Sequence, residues 1–199
     1  MKRPLMRLYF LILMLAMVLP LQANAGAPLD ALQIRMKSLL DVLRDPSFKA
    51  LPTQVEKKEK LLPIIDEMFD YNELSRRTLS RNWKKLTTEQ RQEFTDLFSK
   101  LLGIVYINRL LEYTNEKVVF GKEKMLSKNK AEVQSKIVTS SKEILIHYRL
   151  ILKNGTWRVY DVLIEGISLI RNYRSQFKKI LTKQTPEELL KMLRKKVVK

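Results

Sequence analysis

The sequence predicts an α+β fold: N-terminal helices, then a four-stranded antiparallel sheet, then C-terminal helices, all around an apolar interior. Three observations carry this prediction. Apolar residues recur with helical period up to Glu112, alternate with strand period from there to Ile164, and return to helical period after Gly166. Ser, Thr or Asp stands three residues before Glu or Gln at Thr53/Glu56, Asp70/Glu73, Thr87/Gln90 and Thr185/Glu188, the spacing of a capping box at a helix start. Asn154-Gly155 separates two alternating runs, which is the two-residue signal of a β-hairpin.

The elements follow in order. From Pro28 to Arg44 the residues Leu29, Leu32, Ile34, Met36, Leu39, Leu40 and Leu43 recur at near-helical spacing, ended by Asp45-Pro46. A second helix starts at Thr53 and turns Leu61, Leu62, Ile64 and Ile65 inward, with a kink or break expected at Pro63, which lacks a backbone donor. A short helix follows Asp70 and runs toward Trp83. The longest begins at Thr87: Phe94, Leu97, Phe98, Leu101, Leu102 and Val105 form a single stripe, and Ile104, Tyr106, Ile107, Leu110 and Leu111 widen it until the helix needs cover nearly all round. Strands are expected at about 116–126, 131–139, 143–153 and 156–164. In the third, Ile144, Ile146, Tyr148, Leu150 and Leu152 share a face opposite Leu145 and Ile151; in the fourth, Trp157, Val159 and Leu163 alternate with Tyr160, Val162 and Ile164. Both strands therefore read as buried on two faces. After Gly166, Leu169, Tyr173, Phe177, Ile180 and Leu181 form an apolar helical stripe with Arg171, Arg174 and Lys178 on a separate basic face, and a last helix starts at Thr185-Pro186.

The 199 residues suit one domain with a real core. Lys2, Arg3 and Arg7, the apolar run Leu8 to Leu19 and the small-x-small site Ala23-Asn24-Ala25 read as a cleaved signal peptide over residues 1–25, leaving a single domain over 26–199. Later apolar runs are interrupted by charge too soon to span a bilayer. The chain has no cysteine, so neither a disulfide framework nor an N-terminal lipid anchor is available to it. The formal charge is +17, and Lys2, Arg3 and Arg7 account for three of those charges, leaving +14. Such a balance elsewhere suggests nucleic acid. In an exported protein it points instead to anionic membrane surfaces or acidic partners.

Reactive side chains do not converge. His147 is the only histidine and sits mid-strand; the five glycines are too scattered for a phosphate-binding loop. Asp161 and Glu165, an even number apart in a strand, share a face there and read either as a carboxylate pair or as ion-pair partners of nearby cations. No catalytic set, metal site or cofactor is expected. What remains is a surplus of apolar surface in the long helix, the two central strands and the helix after Gly166. Residues of this kind either fill one another as a core or leave a pocket for a lipid.

One block of sequence favours the pocket. Trp157-Arg158-Val159-Tyr160-Asp161-Val162-Leu163-Ile164-Glu165-Gly166-Ile167-Ser168-Leu169, followed by Asn172-Tyr173-Arg174-Ser175-Gln176-Phe177, closely resembles the MlaC family of periplasmic phospholipid-binding proteins, also called toluene-tolerance auxiliary proteins. Phe69-Asp70-Tyr71 with Arg76-Arg77, Trp83-Lys84-Lys85-Leu86-Thr87 with Gln90-Arg91, and Leu110-Leu111-Glu112-Tyr113 add to it, so the resemblance runs from about Leu61 to Leu181. It implies a mixed helical and sheet fold enclosing a deep apolar lipid cavity, with the headgroup near solvent. It also implies a carrier that moves phospholipid between an outer-membrane lipoprotein complex and an inner-membrane ABC transporter with an MCE-domain subunit, maintaining outer-membrane lipid asymmetry. A monomer with phospholipid as its only ligand is expected.

From facing and position, Val105, Ile107, Leu111, Tyr148, Leu150, Trp157, Val159, Ile167, Leu169, Tyr173 and Phe177 are the residues expected to line or border the cavity. A charge at Leu150 or Leu169 is expected to expel lipid and leave the fold. Arg174 and Ser175 are candidates for the rim, either pairing with a headgroup phosphate or tying the helix start to Asp161 or Glu165. Two rival readings stay open: a basic adaptor without a lipid cavity, and a binder of another lipid class such as an isoprenoid or hopanoid.

Overall fold

The structure, a computed structural model, describes residues 27–113 and 115–198. The signal-peptide reading of residues 1–25 lies outside the described residues. Helix α1 spans Pro28–Arg44, with proline at its first turn where no donor is needed, and buries Leu32, Met36, Leu39 and Leu43. A four-residue helix, α2 (Pro46–Lys49), was not expected; Asp45 caps it by accepting from the Ser47 N–H at 2.7 Å, and Phe48 is driven into the core.

Helix α3 (Gln54–Met68) starts with the full Thr53/Glu56 capping box and continues through Pro63 without a break. Pro63 and Glu59, whose carbonyl loses its donor, are both exposed, so water can satisfy the freed group. Helix α4 (Tyr71–Leu79) passes through a 3-10 turn (Ser80–Lys85) into α5 (Thr88–Leu111). At α4 only half the expected capping box forms. Asp70 accepts from the Glu73 N–H at 2.8 Å, but its own N–H is taken by the Val159 carbonyl at 2.9 Å. That frees the Glu73 carboxylate, which binds Arg76 at 2.7 Å and Arg77 at 2.6 Å instead.

The sheet is an antiparallel meander of five strands in the order β1-β2-β3-β4-β5: Lys117–Ser127, Lys130–Val138, Glu143–Lys153, Thr156–Ile164 and the two-residue Ile167–Ser168. The four-stranded expectation missed β5, which is short and follows a tight turn in which Glu165 and Gly166 both have positive φ, 49° and 77°. A two-residue turn of that kind returns the chain alongside itself, so Ile164 pairs with Ile167 and Leu163 with Ser168. Asn154-Gly155 makes the hairpin between β3 and β4 with the same signs, 49° and 74°.

One irregularity sets the site. In the β3–β4 ladder Arg149 pairs with Asp161, yet Leu150 pairs with Val159, so Tyr160 is the extra residue of a β-bulge. The bulge reverses the alternation along β4. Trp157 and Val159 before it, and Val162 and Ile164 after it, end on the same side of the sheet. Strict alternation would have put Leu163 there in place of Val162 and Ile164.

Two cores result, one on each face of the sheet. On one face Ala131, Val133, Tyr148, Leu150, Trp157 and Val159 pack against α1, α2, α3 and Ile107 of α5. On the other, Ile151 and Tyr160 meet a helical layer formed by α4, α5, α6 (Leu169–Leu181) and α7 (Pro186–Val197). β3 and β4 are thus buried on both faces only around Ile151 and Tyr160; Leu145, on the second face of β3, is 49% exposed, contrary to the expectation from composition. In the helical layer Phe94, Phe98, Tyr173 and Phe177 form an aromatic cluster with centroids 5.0–5.7 Å apart. Phe94 and Phe98 are fully buried, each contributing roughly 1.5–3 kcal/mol.

The start of α6 is fixed from beneath. The bulge points Asp161 into the interior, where its carboxylate accepts from Ser168 Oγ at 2.7 Å and the Ile170 N–H at 3.1 Å, while Ser168 Oγ accepts in turn from the Arg171 N–H at 3.1 Å. Two free N–H groups at the helix start are satisfied this way. Asp161 and Glu165 are therefore not a pair: Glu165 lies in the β4–β5 turn, and its carboxylate accepts from the Leu145 N–H.

Candidate functional site

Where the helical layer and the first core part, they leave a cavity of about 470 Å³, within the range of roughly 300–1,000 Å³ usual for ligand pockets. Each wall follows from an element already described. Met36, Leu39, Leu40 and Leu43 come from one stripe of α1; Leu62, Ile65 and Met68 come from α3. The second half of α5 supplies Leu102, Gly103, Tyr106, Ile107 and Leu110, and the sheet supplies Val118, Ile137, Ile144, Ile146, Tyr148, Val162 and Ile164. Gly103 faces Leu62 of α3, and a Cβ there would stand 3.6 Å from it, an ordinary contact.

The polar ends of the lining aromatics have protein neighbours. Tyr71 lies beside Asp66, Tyr106 beside Tyr173, and Tyr148 beside Ser135. Burial pushes the Tyr148 phenol up to about 12, against a small opposing effect of Ser135. Burial, together with the neighbouring Tyr106, likewise raises Tyr173 to about 12, and burial with the Asp66 carboxylate raises Tyr71 above its usual range. These phenols stay neutral at physiological pH, so the inner wall carries no charge from them.

Charge enters the lining only at one end, through Arg109, Glu112 and Glu116. That end is framed by the close of α5, the start of β1 and the β2–β3 turn at Thr139. There Arg44 donates to the Tyr113 hydroxyl at 2.9 and 3.1 Å, and the hydroxyl donates to the Glu116 carbonyl at 2.9 Å, tying the end of α1 to the chain entering β1. The result is an apolar interior with a polar mouth.

The residues singled out from sequence fall into three groups. Ile107, Tyr148 and Leu169 are on the cavity wall. Leu150, Trp157 and Val159 share the sheet face with that wall but are packed under α1 to α3, and Leu111 packs at the margin of the same core. Tyr173 and Phe177 belong to the aromatic cluster of the helical layer. Val105 and Ile167 are 42% and 67% exposed, because beyond Leu102 the outer side of α5 is uncovered and β5 is an edge strand. The expectation that α5 is covered nearly all round fails there for the same reason. Neither rim candidate lines the cavity: Arg174 donates to the Arg77 carbonyl at 2.8 and 3.1 Å, reaching neither Asp161 nor Glu165, and Ser175 is exposed. The cavity residues of α1 and α3 went unnamed, although their helical stripes were legible: a stripe does not tell which of its members face a gap.

Among the described residues no group of three or more His, Cys, Asp or Glu side chains is placed to hold a metal ion, and no helix is long and apolar enough to cross a membrane. Fold and site together define an α+β protein with an apolar cavity held between an antiparallel sheet and a helical layer.

The chain belongs to the MlaC family, whose model, described as MlaC protein, matches residues 34–195. It is 28% identical over 171 residues to the toluene tolerance protein ttg2D of Pseudomonas putida, covering 84% of this chain and 79% of that one. It is also 28% identical over 154 residues to the intermembrane phospholipid transport system binding protein MlaC of Haemophilus influenzae, covering 75% and 68%. The fold is that of a phospholipid-binding protein from Ralstonia solanacearum, solved in complex with a phospholipid: TM-score 0.73 at 24% identity, covering 83% of this chain and 96% of that one.

Proposed function

We propose that this chain is a soluble periplasmic phospholipid carrier and not an enzyme: a single lipid-binding domain over residues 26–199, exported by a signal peptide over 1–25. It holds acyl chains in the apolar cavity and moves phospholipid between an outer-membrane lipoprotein complex and an inner-membrane ABC transporter with an MCE-domain subunit. The observation that carries the reading is the cavity itself, walled by aliphatic side chains, with its phenols neutral and its charges confined to the mouth. The family supports it, as does the name of the Haemophilus influenzae relative, an intermembrane phospholipid transport system binding protein.

The energetics suit a carrier. Each buried methylene contributes about 0.8 kcal/mol, so an acyl chain leaves a bilayer only for a site offering nearly equal burial. A wall of Leu, Ile, Val and Met offers that burial, while the polar mouth lets a headgroup stay hydrated. Ile107, Tyr148 and Leu169 keep their proposed contact with the chains; Met36, Leu39, Leu62, Ile65, Tyr106, Ile146 and Val162 join them. An adaptor without a cavity has no use for this wall. Organic extraction of the protein purified from cells tests the reading: stoichiometric phospholipid is expected, an isoprenoid or hopanoid would change the ligand class, and no lipid with no uptake from vesicles would refute it.

A further inference from the structure

The hairpin closing the sheet and the helix after it present a surface that the cavity does not use. Residues directly opposite in an antiparallel pair share a sheet face. Ile164 lines the cavity and pairs with Ile167, so Ile167 continues the cavity side of the sheet one strand further out, where it stands in solvent. Two residues on, Leu169 lines the cavity and opens α6. Helix α6 then turns Arg171, Arg174 and Lys178 outward at i, i+3 and i+7, a stripe about 10 Å long on the side away from Tyr173 and Phe177.

No acidic residue occurs from Ile167 to Gln184. Among the described residues Arg171 and Lys178 form no ion pair, and Arg174 meets only the Arg77 carbonyl. Glu165, the carboxylate just before this stretch, is spent on the Leu145 N–H.

We propose that this surface docks the protein on the anionic headgroup layer of a phospholipid bilayer, the α6 cations pairing with lipid phosphates and Ile167 entering the layer beside them. The proposal rests on the carrier reading: the complexes that would exchange lipid with the cavity are seated in bilayers, so contact with a headgroup layer keeps the cavity close to them, and α6 begins at the cavity wall. A bilayer fits better than an acidic protein for two reasons. The cations are long, flexible and aligned without a pocket around them, which suits a continuous field of phosphates needing no register. The exposed apolar tip next to them gains from an interface that is polar outside and apolar within.

The full mature chain is tested by sedimentation with phosphatidylglycerol-containing vesicles and with pure phosphatidylcholine vesicles, using wild type, I167S and the double variant R171Q/K178Q; Arg174 is left in place because it also bonds to Arg77. Each cation near an anionic surface is worth about fivefold, so R171Q/K178Q is expected to bind the anionic vesicles about 25-fold more weakly. Its co-purified phospholipid should be unchanged, I167S should weaken binding, and wild-type binding should fall with salt. Wild-type protein that carries lipid but ignores anionic vesicles, or R171Q/K178Q that binds them like wild type, overturns the proposal and leaves the carrier reading standing. Wild-type protein without lipid defeats the carrier reading and the proposal with it.

Discussion

Replacing Val162 by aspartate puts a carboxylate on the cavity wall, opposite Tyr148 in the β3–β4 register. In the empty protein water reaches it through the mouth; an acyl chain in the cavity drives that water out. A carboxyl with an ordinary value near 3.9 must then be neutralised at pH 7, at about 1.36 kcal/mol per unit over roughly three units, or about 4 kcal/mol. Val162→Asp should therefore hold phospholipid about a thousandfold more weakly at pH 7. The sign of the pH effect follows. The lipid-filled state raises the carboxyl's pKa, so binding is intact below the ordinary carboxylate range and is lost as pH rises; going from pH 7 to 5 should restore about a hundredfold.

The assay is phospholipid phosphorus per protein after incubation with vesicles at both pH values, with circular dichroism to confirm the fold. Leu150→Asp is the contrasting control. Leu150 is 1% exposed and sits in the core beneath the cavity, so its loss costs about 2–5 kcal/mol in packing in addition to the buried carboxyl, against a typical total stability of about 5–15 kcal/mol. It should unfold the protein, contrary to the sequence-based expectation that a charge there only expels lipid. A folded Val162→Asp protein carrying a full lipid complement at pH 7 would refute the placement of the cavity.

Two other outcomes follow from the buried polar groups. Burial alone would raise the Glu73 carboxyl, but hydrogen bonds from Arg76 and Arg77 outweigh it and hold it down to about 2; stability from this group is present above the usual 4.5 and lost as pH falls toward 2, by roughly 3 kcal/mol. Acid titration followed by circular dichroism should give a midpoint less dependent on pH between 4.5 and 2 in Glu73→Gln than in wild type, and equal dependence would contradict the network. Asp161→Ala removes the acceptor for both Ser168 Oγ and the Ile170 N–H and should cost about 2–4 kcal/mol, read as a lowered urea midpoint; a loss below about 0.5 kcal/mol would mean that the start of α6 is held by other contacts.

Helix starts were the most legible part of the sequence, because a capping box is a local pattern: Thr53/Glu56, Thr87/Gln90 and Thr185/Glu188 all form in full. Asp70/Glu73 departs from it for a non-local reason, the Val159 carbonyl claiming the Asp70 N–H. Strand bounds and the Asn154-Gly155 turn were similarly local, whereas the hairpin at Glu165-Gly166, and β5 with it, went unread. The cavity was less legible. The bulge at Tyr160 comes from the pairing of β3 with β4, and it alone decides that Val162 and Ile164 line the wall. The apolar stripe of α6 looked like a wall from sequence, yet Tyr173 and Phe177 pack edge-to-face against Phe98 and Phe94; a stripe reports that a face is covered, and not whether side chains or a ligand cover it. The exposed Ile167 and Val105 show the converse, apolar residues that the described residues leave partly uncovered.

The central claim is that the cavity holds phospholipid acyl chains, and native mass spectrometry of the protein purified from its own cells tests it most directly. The account predicts a species heavier than the polypeptide by one phospholipid, released as phospholipid on activation and lost in Val162→Asp at pH 7. A bare polypeptide mass, unchanged after incubation with phospholipid vesicles, would contradict it.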